Sequence, residues 1–318
     1  MKIIIYINLI IIFSISIVGP YHAFINFKPS NENVYIYIEQ GESMKSTLDK
    51  LIQNNPLNSA FFKLFLNIEN IDSFQVGKYQ IEDKNLKQIF FDFNQGLTKT
   101  HKLVIKEGAN IFDIQKALEN SFLDIDCINL DCLKMHTPFK EGTLYPDTYF
   151  YKDSMKASSL LQASHERLFK KVSELWINKP LSNPLRNINE ALILASIIEK
   201  EAGNNKEKIL IAGVFLKRIT LGMKLQADPT IIYGLLPNFD GDIKKSDILN
   251  KNNLYNTYMI KGLPPTPISM SSVSSIEAAI YAVPGDYLFF VADSKTSHYF
   301  SKTYDEHVAM INTLGLNK

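Results

Sequence analysis

A chain of 318 residues can bury a sizeable core and favours two domains over one or three. Its 34 lysines and arginines stand against 33 acidic residues, so there is no net basic field of the kind duplex nucleic acid needs, and nucleic acid is not the expected partner. Cys127 and Cys132 lack a second pair or a histidine cluster to complete a zinc site, so no metal is expected; a small disulfide loop and two reduced thiols fit the spacing equally.

Lys2 is followed by an apolar run from Ile3 to Val18 broken only by Asn8, Ser14 and Ser16. As a helix the run covers ~24 Å, and Gly19 to Ile25 at the interface completes the ~30 Å hydrocarbon core. Gly19-Pro20 fits a small-x-small cleavage site poorly, so residues 1–25 read as an uncleaved anchor rather than a signal peptide. Lys2 places the start in the cytoplasm and the rest of the chain outside.

Residues 33–97 read as a βααβ-like module. A strand over Val34–Ile38 is followed by a helix over Met44–Gln53, a second helix around Ala60–Leu66, and a strand over Phe74–Ile81 in which Gly77 permits a bend or bulge. A helix over Leu86–Asn94 then stops at Gly96, and Thr98-Lys99-Thr100 reads as a linker. The second part, 101–318, opens with a strand over Lys102–Ile105 and a helix over Ile111–Ser121. An irregular stretch over 122–150 precedes helices over Ala157–Leu175 and Asn189–Ala202, the latter capped by Asn187 or Asn189. Tyr287–Ala292 and His298–Phe300 read as a hairpin, and the fold class is α+β.

The helix Ala191–Gly203 is almost wholly apolar, and Glu201 continues the stripe of Leu194, Ile197 and Ile198 at its carboxyl end, while Glu199 points elsewhere. Desolvation and the negative end of the helix dipole both raise the pKa of a carboxyl group there, which suits a general acid near neutral pH. By spacing alone the commoner outcome is a glutamate that leaves the core for solvent.

Five segments weigh against that outcome: Glu141-Gly142-Thr143-Leu144-Tyr145-Pro146-Asp147-Thr148-Tyr149, Ala195-Ser196-Ile197-Ile198-Glu199-Lys200-Glu201, the polar stretch Leu216–Gly234, Tyr255-Asn256-Thr257-Tyr258, and Gly262-Leu263-Pro264-Pro265. In this order they resemble the YceG-like family of endolytic murein transglycosylases, and the part around Gly77 and Tyr79 resembles that family's LysM-like subdomain. The resemblance implies a cofactor-free peptidoglycan lytic transglycosylase held at the inner membrane by its anchor. Its catalytic domain would lie on the periplasmic or outer side, trimming nascent glycan strands beside the synthases that extend them. Glu201 matches the family's catalytic glutamate. It would protonate the glycosidic oxygen between N-acetylmuramic acid and N-acetylglucosamine, then take the proton of the muramic C6 hydroxyl as a 1,6-anhydro ring closes.

Gln226, Asp228, Thr230, Tyr233, Tyr255, Asn256 and Tyr258 are candidate sugar-binding residues, through amide and hydroxyl pairing and ring stacking. Glu141, Asp147 and Glu199 are candidates for supporting the site from behind. Asp228 before Pro229 has an equal reading as a helix cap and Asp147 after Pro146 a similar one as a turn former, while His298 reads as a satisfied strand histidine ahead of a cleft residue. Gly262-Leu263-Pro264-Pro265 is expected to shape a rigid loop at the cleft. Met270-Ser271-Ser272 replaces the family's Asn-Pro-Gly, and a change at the cleft rim is expected from it. Two other functions compete: a glycan-binding scaffold without catalysis, which an intact Glu201 disfavours, and a water-using muramidase with Asp228 as its second carboxylate.

Overall fold

The computed structural model describes residue 6 and residues 14–29, 34–52, 55–153 and 155–316. Most of the apolar run expected to form a membrane anchor, residues 1–5 and 7–13, lies outside the described residues. Among the described residues no helix is long and apolar enough to cross a membrane. The chain forms two compact units, Met1–His101 with Tyr151–Ser154, and Lys102–Phe150 with Met155–Lys318.

In the first unit a π-helical turn, Ser14–Val18, runs into α1 (Gly19–Asn26), with Pro20 in its first turn, where a missing N–H costs nothing. Strand β1 (Tyr35–Ile38) leads through α2 (Met44–Leu51) and α3 (Pro56–Glu69) to β2 (Gly77–Gln80), which pairs antiparallel with β1 from Tyr35↔Gln80 to Ile38↔Gly77. Helices α2 and α3 each start on a side-chain cap: Ser43 accepts from the Ser46 N–H and Asn55 from the Asn58 N–H. Helix α4 (Leu86–Gln95) has a reciprocal Asn85/Gln88 box and ends at Gly96 in the left-handed conformation, the expected stop. Aromatic rings fill the core, with Phe62, Phe65, Tyr79, Phe90 and Phe93 buried against one another.

Two local expectations change here. Gly77 does not bulge the strand; it sits in register, and any Cβ there would collide with the Thr98 methyl at 2.4 Å. Thr98-Lys99 is no loose linker either, since Thr98 is buried and the Lys99 N–H donates to the Lys78 carbonyl.

Strand β3 (Thr100–Ile105) pairs with β4 (Asp147–Lys152), so the stretch expected to be irregular to residue 150 ends in a strand, whose Asp-Thr-Tyr-Phe-Tyr-Lys sequence reads as loop until its partner is known. In the second unit α5 (Ile111–Glu119) is boxed by Asn110 and Asp113, and the following segment is closed by a Cys127–Cys132 disulfide. Helices α6 (Ala157–Trp176), α7 (Ile188–Glu201), α8 (Lys208–Thr220), α9 (Asp228–Leu235), α10 (Lys245–Ile248) and α11 (Val273–Tyr281) follow, then the β5 (Phe289–Ala292) and β6 (His298–Ser301) hairpin and α12 (Tyr304–Thr313). Asn187 is the α7 cap, accepting from the Glu190 N–H at 3.0 Å. Residues Ala191–Ile198 are buried on every face of α7, which packs against α8, α11 and α6 as the axis of the unit.

Candidate active site

The apolar α7 delivers its last residue, Glu201, to the floor of an open cleft of about 410 Å³. The cleft is also lined by Arg218 from α8, Gln226 and Asp228 at the start of α9, Tyr258, Phe289, Phe290 and His298 of the β5–β6 hairpin, and Tyr304 and His307 of α12. Glu201 is partly buried and continues the line of Leu194, Ile197 and Ile198, all fully buried. No hydrogen bond from the described residues reaches its carboxyl group. Burial pushes its pKa up, the Asp228 carboxylate pushes the same way, and the Arg218 cation opposes them, leaving it at about 8.

Arg218 is itself buried, its Nε donating to the Leu288 carbonyl at 2.8 Å and its Nη1 to the Leu225 carbonyl at 2.6 Å, with the guanidinium 5.4 Å from the Phe289 ring centre. Held by carbonyls and an aromatic face, the cation stays in place across the cleft floor whether Glu201 is protonated or not. Asp228 is exposed and accepts the Tyr258 hydroxyl hydrogen at 2.7 Å. It does not cap its helix: Ala227 occupies that position, with no side-chain bond. Gln226 stands in the left-handed region at φ 54°, a strained backbone for a residue with a Cβ, and lines the cleft with Asp228.

The two glutamates of Glu199-Lys200-Glu201 therefore have opposite environments. Glu199 lies inside the protein, accepting from the Ser272 N–H (2.9 Å), the Ser272 and Ser275 hydroxyls and the Lys208 ammonium (3.3 Å). Burial raises its pKa, but these donors outweigh burial and hold it below the usual carboxylate value. All of these donors reach the same oxygen, Oε2, and hold that side of the carboxylate inside the protein, away from the cleft that Glu201 lines.

Of the candidate sugar-binding residues, the structure gathers Gln226, Asp228 and Tyr258 around Glu201; Thr230, Tyr233, Tyr255 and Asn256 are not among the residues lining the cleft. The Thr230 hydroxyl is buried between the Ala227 carbonyl (2.6 Å) and Thr257 (2.9 Å). The Asn256 amide donates to the carbonyls of Asp247, Ile248 and Asn250. Tyr233 donates to Glu141 at 2.9 Å, and its ring meets Tyr255 edge-on at 4.7 Å. Glu141 also accepts from the N–H groups of Ile111 and Gly142, and burial pushes its pKa up to about 7; it ties the start of α5 to α9. Asp147 is an exposed partner of Arg167 at 2.7 Å.

The Met270-Ser271-Ser272 departure does not fall at the cleft rim. All three residues are buried: Met270 exchanges backbone hydrogen bonds with Gly108 and Ala109, and Ser272 caps α11 while binding Glu199. Nor does Gly262-Leu263-Pro264-Pro265 line the cleft. His298 combines both of its readings, lining the cleft while its Nδ1 pairs with Glu207 at 2.9 Å. Sequence reasoning missed Arg218, Tyr304 and His307. An arginine inside the apolar run Ile209–Ile219 was the one available signal, because a buried guanidinium needs a purpose.

The second unit thus holds, in an open polar and aromatic cleft, a proton-retaining carboxyl group without a hydrogen-bond partner among the described residues, an arrangement with the features of a site for proton transfer. The chain's sequence profile matches that of the YceG-like family over residues 36–313, and the chain belongs to that family. It is similar to a protein named endolytic murein transglycosylase from Bacillus subtilis, 28% identical over 313 residues that cover 88% of this chain and 84% of that protein. A protein of the same name from Streptococcus pneumoniae is 32% identical over 171 residues, 52% of this chain and 31% of its own length. The crystal structure of a YceG-like protein from Listeria monocytogenes superposes with a TM-score of 0.57 at 28% identity, covering 87% of this chain and 98% of that one.

Proposed function

We infer that this chain is a peptidoglycan lytic transglycosylase, and that Glu201 is its single acid and base. The observation that carries the reading is a carboxyl group with a pKa raised to about 8, without an internal hydrogen-bond partner among the described residues, at the floor of an open cleft. Protonated Glu201 gives its proton to the glycosidic oxygen as the bond from C1 of N-acetylmuramic acid breaks, releasing the 4-hydroxyl of N-acetylglucosamine. The 2-acetamido oxygen of the same sugar closes on C1 and carries the positive charge, with Asp228, held by Tyr258, as the neighbouring counter-charge. The Glu201 carboxylate, steadied by Arg218, then removes the proton of the C6 hydroxyl; O6 attacks C1, the acetamido oxygen departs, and the 1,6-anhydro ring closes with Glu201 protonated again. No water is consumed.

The rest of the reading is arranged around that site. Residues 1–25 are an inner-membrane anchor, 33–97 a LysM-like subdomain, supported by the β1-α2-α3-β2 order, and 101–318 the catalytic domain acting on nascent strands beside the synthases. The Cys127–Cys132 disulfide supports a periplasmic or outer location, because such bonds persist in oxidising compartments. A water-using muramidase keeps one supporting observation, Asp228 in the same cleft as Glu201.

Mass spectrometry of fragments released from purified peptidoglycan separates these. Anhydro-muramyl ends with the wild type and none with Glu201→Gln are expected; reducing ends would establish hydrolysis instead. A folded wild type that binds glycan and releases nothing would leave a scaffold.

A further inference from the structure

The exposed face of α3 is unlike that of any neighbouring helix in its unit. Leu57, Ala60, Leu64 and Ile68 share it at helical spacing, with Lys63 and Asn67 among them and no carboxylate. Leu57 and Ile68 are each 56% exposed and Leu64 40%. By contrast α2 shows water Lys45, Ser46, Asp49 and Lys50, and α4 shows Lys87, Gln88 and Gln95. A helix whose inner face already fills a core with Phe61, Phe62 and Phe65 has no folding reason to be apolar outside as well.

The position of α3 in the unit says what covers this face. The apolar run of the amino terminus ends at Val18, and α1 begins at the next residue with no intervening linker. Helix α1 is then built into the unit: Phe24 is buried in its core, and Tyr21 and Phe24 both pack on Phe61 of α3, at 5.8 and 6.0 Å between ring centres. From Val18 to Phe24 a helix advances roughly 9 Å, comparable with the ~5–10 Å depth of the headgroup layer. Ile17, Val18 and Phe27, at the two ends of α1, are also exposed.

We propose that the α3 face of the first unit lies on the lipid surface of the membrane, with Leu57, Leu64 and Ile68 inserted at the boundary of headgroups and acyl chains and Lys63 toward anionic headgroups. It rests on the anchor reading of residues 1–25. Insertion adds a second membrane contact to the anchor and fixes the tilt of the first unit on the bilayer.

The test uses the full chain in vesicles of phosphatidylethanolamine and phosphatidylglycerol, with and without brominated acyl chains. Its single natural tryptophan is removed by Trp176→Phe, and a new one is placed by Leu64→Trp or, as control, Lys45→Trp. The fluorescence of Leu64→Trp is expected to shift to the blue and to fall by about half with brominated lipid, as for a group at interfacial depth, while Lys45→Trp is unaffected. Adding Ile68→Asp to Leu57→Trp is expected to abolish the quenching seen with Leu57→Trp alone. Flotation with the vesicles but no quenching overturns this proposal and leaves the anchor standing. A chain that does not float overturns both. A blue shift without quenching, accompanied by lipid-independent cross-linking through Leu64→Cys, assigns the face to a second copy of the chain and also overturns it.

Discussion

At Glu201 the burial that suits the proposed acid role opposes folding at high pH. With a folded pKa of about 8 against the ordinary glutamate value, the folded state holds a proton that the unfolded chain releases, so stability is fully present below pH ~4.5 and is lost as pH rises toward 8. Glu201→Gln should therefore be inactive yet more stable than the wild type at pH 8, by on the order of 1–3 kcal/mol, with the difference gone at pH 4.5 in paired thermal melts. The wild-type rate should be flat through neutral pH and fall above about pH 8 as the acid is lost, a limb read directly from a pH–kcat profile. Asp228→Asn keeps an acceptor for the Tyr258 hydroxyl but removes the charge. It should lower kcat roughly 10²-fold or more with little change in KM, and should also move the alkaline limb to lower pH, since the carboxylate is one of the groups raising Glu201.

At the scale of elements, α7 is joined to α11 by the Glu199 cluster and to the hairpin by Gly203. Replacing Glu199 by Gln leaves Lys208 buried without its counter-charge, and should cost about 2–4 kcal/mol in urea unfolding without removing the acid. A Cβ on Gly203 would come within 2.8 Å of the Thr296 backbone, between β5 and β6. Gly203→Ala should therefore push the hairpin wall of the cleft outward, raising KM more than it changes stability, which glycan-binding titrations and melts compare. The elements themselves were legible where period and caps agreed: α7 from its apolar body and Asn187, α4 from its period and Gly96, while the Asn85/Gln88 box that starts α4 emerged only in the structure. Strand β4 was not, because the evidence for it is the partner strand β3 and not its own residues.

At the scale of the molecule, two units of different character share one chain. The first is an aromatic core with helices on small strands; the second is an all-round buried helix with a cleft at its end. Between α5 and β4 the second unit has little regular structure, and the Cys127–Cys132 bridge closes a short loop there. Replacing both cysteines by serine should cost about 2 kcal/mol, the loop-entropy value for so short a ring, seen as a lower urea midpoint with unchanged slope.

The sequence by itself determined the mixed α/β class, the helices α2 to α7, and the placing of Glu201 at the end of a buried stripe, because periodicity, caps and local composition are properties of neighbouring residues; α8, α10, α11 and α12 were not read from it. It also carried the family's motifs, among them Glu201, Gln226, Asp228 and Tyr258 of the cleft. Only the tertiary structure decided which polar residues of those motifs meet Glu201: Gln226, Asp228 and Tyr258 reach the cleft, while Thr230, Tyr233 and Asn256 are used up by internal hydrogen bonds. Glu199 and Glu201 stand two residues apart in one helix, and a roughly 200° rotation between them sends one to a group of internal donors and the other to the open cleft. What separates them is the set of partners, Ser272, Ser275 and Lys208 on one side and Arg218 on the other, and those arrive from segments too distant in the chain for any local pattern to record.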